Sequence, residues 1–287
     1  MDSTPRPLPV IDVPGYLRRL GLADPGAPSV DALRLLHGAH VEQIPYETVW
    51  IALRRARSVD PVEASERIVA GYGGYCFQLN GAFAALLTAL GYQVTMHVGA
   101  ALMRADTPLD AGLGNHLALT VRLAGQDWMV DVGLGNALHE PLPLRPGPHR
   151  QGPFTFTLQP SPLIPGGWRF GMDPQLKSFS HMDFQPGPAL PEDFTDKHAE
   201  LSSDPQSPFV RVITLARRDR DGVDQLRGTV LTRFDADGQH DRELRDAAEW
   251  FTVIDRRFGL RPDDLDDAAR AALWRRVLDT PPPRPRP

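Results

Sequence analysis

Three residues in this chain have side chains suited to covalent chemistry as a set. Cys76 is the only cysteine of 287 residues and stands in GYGGYCFQLNGAF, residues 71–83. Two glycines precede it. Leu79, Phe83, Leu86, Leu87 and Leu90 follow at helical spacing, and Gly91 stops the run. The pattern puts the thiol in the first turn of a helix entered through a glycine-rich bend. There, unpaired backbone N–H groups and the helix dipole stabilise an anion. A lone cysteine is otherwise a small buried hydrophobe, so it is the location that favours a thiolate. A nucleophilic thiol also needs a base to take its proton and an acid or amide to orient that base. His116 opens the run HLALTVRL, and Asp131 lies in the next, DWMVDVGLG. A carboxylate flanked by Val130 and Val132 needs a partner, and an imidazole would supply one. Direct opposition of the two would put the hairpin tip at Leu123–Ala124, whereas the turn glycine is Gly125. The spacing therefore predicts a bulge or a bent ladder.

The elements that must position these residues change character near residue 92. Residues 12–91 read as helices: YLRRLGL closed by Gly21, SVDALRLLHGAHVEQI with Ser29 as N-cap, and DPVEASERIV with Asp60, Pro61 and Glu63 at the N-cap, N1 and N3 of a capping box. From 92 the period becomes two. YQVTMHVGAALM, HLALTVRL and DWMVDVGL read as strands, the latter two joined by the AGQ turn, and FTFTLQ and WRFGM continue the pattern. Residues 141–165 carry many Pro and Gly and read as loops, and 183–208 reads as a long connection. FVRVITLARR and GTVLTRF suggest an antiparallel pair. DRELRDAAEWFTVIDRRF and DLDDAARAALWRRV read as amphipathic helices, and the tail TPPPRPRP as disordered.

Composition excludes several classes. The apolar fraction is 41%, the charged fraction 23% and the net charge −5, which suits a globular protein with no field favouring nucleic acid or an anionic membrane. One cysteine excludes an internal disulfide and a Cys-based zinc cluster. His97, His139, His149, His181 and His198 are too scattered to read as a metal set. Gly133 and Gly135 in GLG have no helix at dinucleotide-binding spacing, and read instead as permitting close approach of a ligand or of backbone. The start MDSTPRPLPVIDVPGYL lacks the apolar run of a signal peptide, so a reducing cytoplasm is the expected location.

With these residues in place, the chain resembles the arylamine N-acetyltransferase family, including its amide-synthase relatives. The family motif Arg-Gly-Gly-x-Cys-x-Glu-x-Asn is similar to YGGYCFQLN at 72–80. The family's histidine strand resembles HLALTV from 116, and Val-Asp-Val-Gly-Phe-Gly resembles VDVGLG from 130. Upstream, Ile-Pro-Phe-Glu-Asn resembles IPYET at 44–48, and SPFVRV from 207 resembles the entry to the family's third domain. The resemblance spans about 15–235 with the motifs in family order. It implies an α+β fold: a helical domain over 1–91 carrying the nucleophile, a β-barrel-like domain over 92–205 carrying His and Asp, and an α/β lid domain over 206–287, around a cysteine-protease-like core.

The resemblance also implies a Cys76–His116–Asp131 triad that takes an acetyl group from acetyl-CoA onto sulfur and passes it to an arylamine or hydrazine. Acetyl-CoA or another acyl thioester would then be a cosubstrate, with no permanently bound cofactor and no metal. Backbone N–H groups of Phe77 and Asn115 would hold the oxyanion, and Tyr46, Leu134 and Phe209 match positions lining the family's acceptor pocket. Tyr72 stands where the motif has Arg, Gln78 where it has Glu, and Thr48 beside Glu47 where it has Asn, so Glu47 needs a new partner. The alternative within the family is an amide synthase that takes a longer acyl chain from an acyl carrier protein. A thiol hydrolase with the same Cys, His, acid order and a non-catalytic binding module are the rivals outside it.

Overall fold

The structure, a computed structural model, describes residues 10–55, 57–261 and 263–280. The helical opening follows its capping residues. Helix α1 (Val13–Leu20) begins where the Asp12 carboxylate accepts from the Gly15 N–H at 2.8 Å, and it ends at Gly21 in the left-handed conformation, φ 71°. Helix α2 (Val30–Gln43) is capped by Ser29, whose hydroxyl accepts from the Ala32 N–H. A two-residue strand β1 (Tyr46–Glu47), a short helix α3 (Val49–Ala52) and helix α4 (Pro61–Val69) lead to helix α5 (Cys76–Ala89). Asp60 caps α4 through the Val62 N–H, but Glu63 does not close the expected box. It accepts the Ser58 hydroxyl, and Ser58 Oγ takes the Asp60 N–H instead.

Helix α5 is buried on nearly every side, from Cys76 to Leu87, which suits its apolar sequence. It lies against α4 and against two strands of the large sheet. That sheet contains β2 (Gln93–Leu102), β3 (His116–Leu123), β4 (Gln126–Val130), β5 (Leu142–Pro143), β6 (Gly147–Gln151), β7 (Phe154–Pro160), β8 (Trp168–Gly171) and β9 (His181–Phe184). All neighbours are antiparallel, in the order β5-β4-β3-β2-β9-β8-β7-β6. Met129, Phe156, Phe170, Met182 and Phe184 from four of these strands meet in one cluster, as in a nearly closed, barrel-like sheet. The 141–165 region is thus not all loop: β5, β6 and β7 occupy much of it. Strand β6, GPHRQ, escapes a reading based on apolar alternation because it is an edge strand with a polar sequence.

The connection from 183 to 208 holds helix α6 (Thr195–Ser203), and helix α7 (Pro208–Arg211) follows it. The last part is a second sheet of β10 (Thr214–Arg218), β11 (Val223–Arg227), β12 (Val230–Asp235) and β13 (Gly238–Glu243). The expected direct pairing of ITLARR with TVLTRF is corrected here, because β11 lies between β10 and β12. Strand β11 reads VDQLR, and its Asp224 is buried against Arg257 rather than exposed, so no apolar alternation marks it. From the other end of the chain, β1 adds an edge to this sheet by pairing with β10. Helices α8 (Ala247–Arg256) and α9 (Asp267–Leu278) share its core through Trp250, Ile254, Leu273 and Val277. The first residues of the expected helix DRELRD belong to β13 instead. The proline-rich end beyond Thr280 lies outside the described residues.

Candidate active site

The bend before Cys76 is held by strand β1. The Glu47 N–H donates to the Gly74 carbonyl at 2.8 Å, and Tyr46 and Gly74 form a parallel bridge. Gly73 lies flat on this strand, where a Cβ would collide with the Pro45 carbonyl. Cys76 is therefore the first residue of α5, and its side chain is 4% exposed. The glycine-rich turn after Asp131 meets the same spot. A Cβ at Gly133 would stand 2.8 Å from the Cys76 Cα, so the close approach expected of these glycines is made by backbone on the helix start.

His116 Nε2 and Asp131 Oδ2 are 2.7 Å apart, and both side chains are buried. No bulge was needed to bring them together. The β3–β4 hairpin pairs Leu123 with Gln126 across a two-residue turn, with Ala124 at φ 51° and Gly125 at φ 79°. The ladder ends at the Leu119–Val130 pair. Continued one step, it would set Asp131 opposite Ala118, which makes Asp131 a diagonal neighbour of His116 on one face. The chain leaves the ladder at Asp131, and the carboxylate covers the remaining distance.

Asp131 is fixed from three further directions. Its Oδ1 accepts from Asn80 Nδ2 and from the Gly133 N–H, both at 2.9 Å. Its own N–H donates to His37 Nε2 at 3.3 Å, while His37 Nδ1 donates to the His139 carbonyl. These bonds define a neutral His37, and burial lowers its pKa to about 4. Asn80 also accepts the Val132 N–H and donates to the Leu117 carbonyl. Nothing in the residue type of Asn80, within YGGYCFQLN at 72–80, marks this task. Its place four residues after Cys76, on the same helix face, was the available signal.

For His116, burial alone would lower the pKa. The Asp131 carboxylate, the bond to it and the neighbouring Cys76 side chain outweigh that and raise it to about 10. With Nε2 on Asp131, the other ring nitrogen is the one left for the thiol. Cys76 Sγ also lies 3.6 Å from the Asn115 carbonyl. This corrects the expectation for Asn115: its N–H is taken by the Gly112 carbonyl at 2.9 Å, and it turns an acceptor toward the sulfur. The Phe77 N–H, in the first turn of α5, has no helical carbonyl before it.

Glu47 has found its partner. Arg57 Nη2 stands 4.0 Å from Glu47 Oε1, and both side chains are almost fully buried. The Val49 and Trp50 N–H groups donate to the other carboxylate oxygen. The Arg57 guanidinium lies 5.6 Å from the Trp50 ring and 5.5 Å from that of Tyr72, and Arg67 covers Tyr72 at 5.0 Å. Thr48 bonds to the Thr214 N–H and ties β1 to β10. Of the expected pocket residues, Tyr46 lines a small recess with Asp131, Val132, Gly135 and Leu138. Phe209 meets the Tyr75 ring edge-on at 5.3 Å, and Leu134 packs on the cluster inside the large sheet. Among the described residues no group of three or more His, Cys, Asp or Glu is arranged to hold a metal, and no helix is long and apolar enough to cross a membrane.

A buried cysteine at a helix start, and a buried histidine bonded to a buried aspartate on the adjoining antiparallel sheet, define the site. The family model described as N-acetyltransferase matches residues 29–266. The arylamine N-acetyltransferase of Mycolicibacterium smegmatis is 30% identical over 284 residues, covering 94% of this chain and 99% of that protein. Proansamycin X synthase of Amycolatopsis mediterranei is 35% identical over 148 residues, 50% of this chain and 56% of the synthase. The structure of Mycobacterium marinum arylamine N-acetyltransferase in complex with CoA superposes with a TM-score of 0.83 at 25% identity, covering 94% of this chain and 99% of that one. The chain belongs to the arylamine N-acetyltransferase family.

Proposed function

We propose that the protein transfers an acetyl group from acetyl-CoA to an arylamine or hydrazine through an acyl-Cys76 intermediate. The observation that carries this reading is the buried 2.7 Å bond from Asp131 to His116, an imidazole whose pKa is also raised by the nearby Cys76 side chain at a helix start. In the first half-reaction the Cys76 sulfur, its proton already held by the His116 imidazolium, attacks the thioester carbonyl. The C–S bond to CoA then breaks as the imidazolium protonates the departing thiol. In the second half-reaction the amine attacks the acyl-sulfur carbon, His116 takes the amine proton, and Cys76 leaves as thiolate. The Cys76 and Phe77 N–H groups face the tetrahedral oxyanion, and Asn115 takes no part in holding it. Tyr46, Leu134 and Phe209 shape the acceptor side.

This reading rests on the family's division of labour: a helical part over 1–91, a barrel-like part over 92–205 and an α/β part over 206–287, meeting at a cysteine-protease-like core. A lone catalytic thiol suits a reducing cytoplasm. The CoA bound by the Mycobacterium marinum relative supports CoA as carrier of the acyl group. A second reading, an amide synthase charged by an acyl carrier protein, draws on the similarity to proansamycin X synthase over half the chain. Steady-state kinetics with acetyl-CoA and a panel of arylamines test the first: parallel double-reciprocal lines are expected. Turnover of long-chain carrier-bound thioesters with none of acetyl-CoA would favour the second, and thioester hydrolysis indifferent to amine would contradict both.

A further inference from the structure

The nucleophile bend carries two residues that depart from the family motif, Tyr72 and Gln78, and both face one short segment of chain. Gln78 Nε2 donates to the Ser58 carbonyl at 2.9 Å, and its Oε1 accepts from the Tyr75 N–H at 3.4 Å. A carboxylate at 78 would accept from Tyr75 equally well but has no proton for Ser58. The Tyr75 hydroxyl donates to His198 Nδ1 at 2.7 Å, and His198 Nε2 donates to the Arg57 carbonyl at 2.7 Å. The Arg57 guanidinium faces Glu47, whose N–H holds Gly74 two residues before the thiol. Three separate routes therefore run from residues 57–58 to residues 74–78.

We infer that residues 57–58 are the brace that orients Cys76, with Arg57 the positioning residue that acts through Glu47. Tyr72 fills the place between the Arg57 and Arg67 guanidiniums, so the positive charge beside Glu47 is delivered from 57 rather than from 72. Removing it leaves a carboxylate that is 1% exposed without its charge partner. The strand carrying Glu47 then loses its hold, and the sulfur moves relative to His116. Residue 72 lines the same recess as Glu47 and Arg57, so a guanidinium placed at 72 is able to take over. The inference rests on Cys76 being the nucleophile of the proposed reaction.

The test compares Arg57→Met, the double variant Arg57→Met/Tyr72→Arg and Gln78→Glu with the unaltered chain. The rate of Cys76 alkylation by iodoacetamide is read across pH, together with kcat and KM for a thioester. Arg57→Met is expected to slow alkylation and kcat by about 10²-fold with KM nearly unchanged, the cost of a misplaced reacting group. Tyr72→Arg in that background is expected to recover most of the loss. Alkylation unchanged in Arg57→Met overturns the inference, as does a double variant as heat-stable as the unaltered chain but no faster than Arg57→Met. Should the Arg57 variants not fold, Gln78→Glu decides: slower alkylation supports the brace, and an unchanged rate overturns it. If no thioester is turned over but alkylation shows the loss and the rescue, the brace stands and the proposed reaction falls. Normal acyl transfer with unchanged alkylation in Arg57→Met gives the reverse.

Discussion

At the scale of the residue, the Asp131–His116 bond decides the charge state on which the chemistry depends. The folded protein binds the His116 proton more tightly than the ordinary value of 6.5, with the pKa raised to about 10. The stabilisation from the ion pair is therefore complete below pH 6.5 and is lost as the pH rises through about 10. The imidazolium that protonates the departing thiol persists over the same range, so the acyl-transfer rate is expected to hold until about pH 10 and then fall. Asp131→Asn takes away the carboxylate. It should bring that alkaline limb to lower pH and cut kcat by about 10³–10⁴-fold; an unmoved limb in the pH–rate profile would separate Asp131 from His116. Cys76, His116 and Asp131 were legible from the sequence because each combines a telling residue type with a telling context. Arg57 was not: a single arginine among scattered arginines becomes informative only when Glu47 is seen 4.0 Å away.

At the scale of the element, the capped helices were the most readable parts, since Ser29, Asp60 and Gly21 do locally what their residue types favour. Among the strands that sequence periodicity missed, β6 and β11 are polar, so no apolar alternation marks them. The register question shows the same limit. Counting residues to the turn tip treats facing pairs as the only contacts, whereas the diagonal geometry places Asp131 on His116 with a regular turn. That turn carries a mild strain, because Ala124 adopts φ 51°, a conformation an L-residue with a Cβ disfavours and Asn tolerates. Ala124→Asn is accordingly expected to raise stability by about 0.5–1 kcal/mol in urea unfolding, with acyl transfer unaltered. A loss of stability would show that the turn is held by something other than its own φ/ψ preference.

At the scale of the whole molecule, the site is a junction. His37 reaches from α2 to the Asp131 N–H and the His139 carbonyl, tying the helical part to the loop after β4. Arg218 reaches from β10 to the Ala137 and Gln151 carbonyls, tying the second sheet to the first. These ties are long-range in sequence, which is why the individual elements were easier to foresee than their assembly. His37 also makes the junction sensitive to acid. Burial lowers its pKa to about 4 from 6.5, so between these values the unfolded chain takes up a proton that the native chain refuses. Stability is expected to fall as pH drops from 6.5 toward 4, with buried His40, His97 and His198 shifting in the same direction. Urea midpoints across that range check this: His37→Gln should show a shallower decline than the unaltered chain, and equal slopes would contradict the assignment.

The intact mass of the protein after mixing with acetyl-CoA, before any amine is added, bears most directly on the central claim. One acetyl group is expected on Cys76, absent in Cys76→Ser and discharged when an arylamine is supplied. A chain that gains no acetyl group, or that gains it equally in Cys76→Ser, would contradict the account.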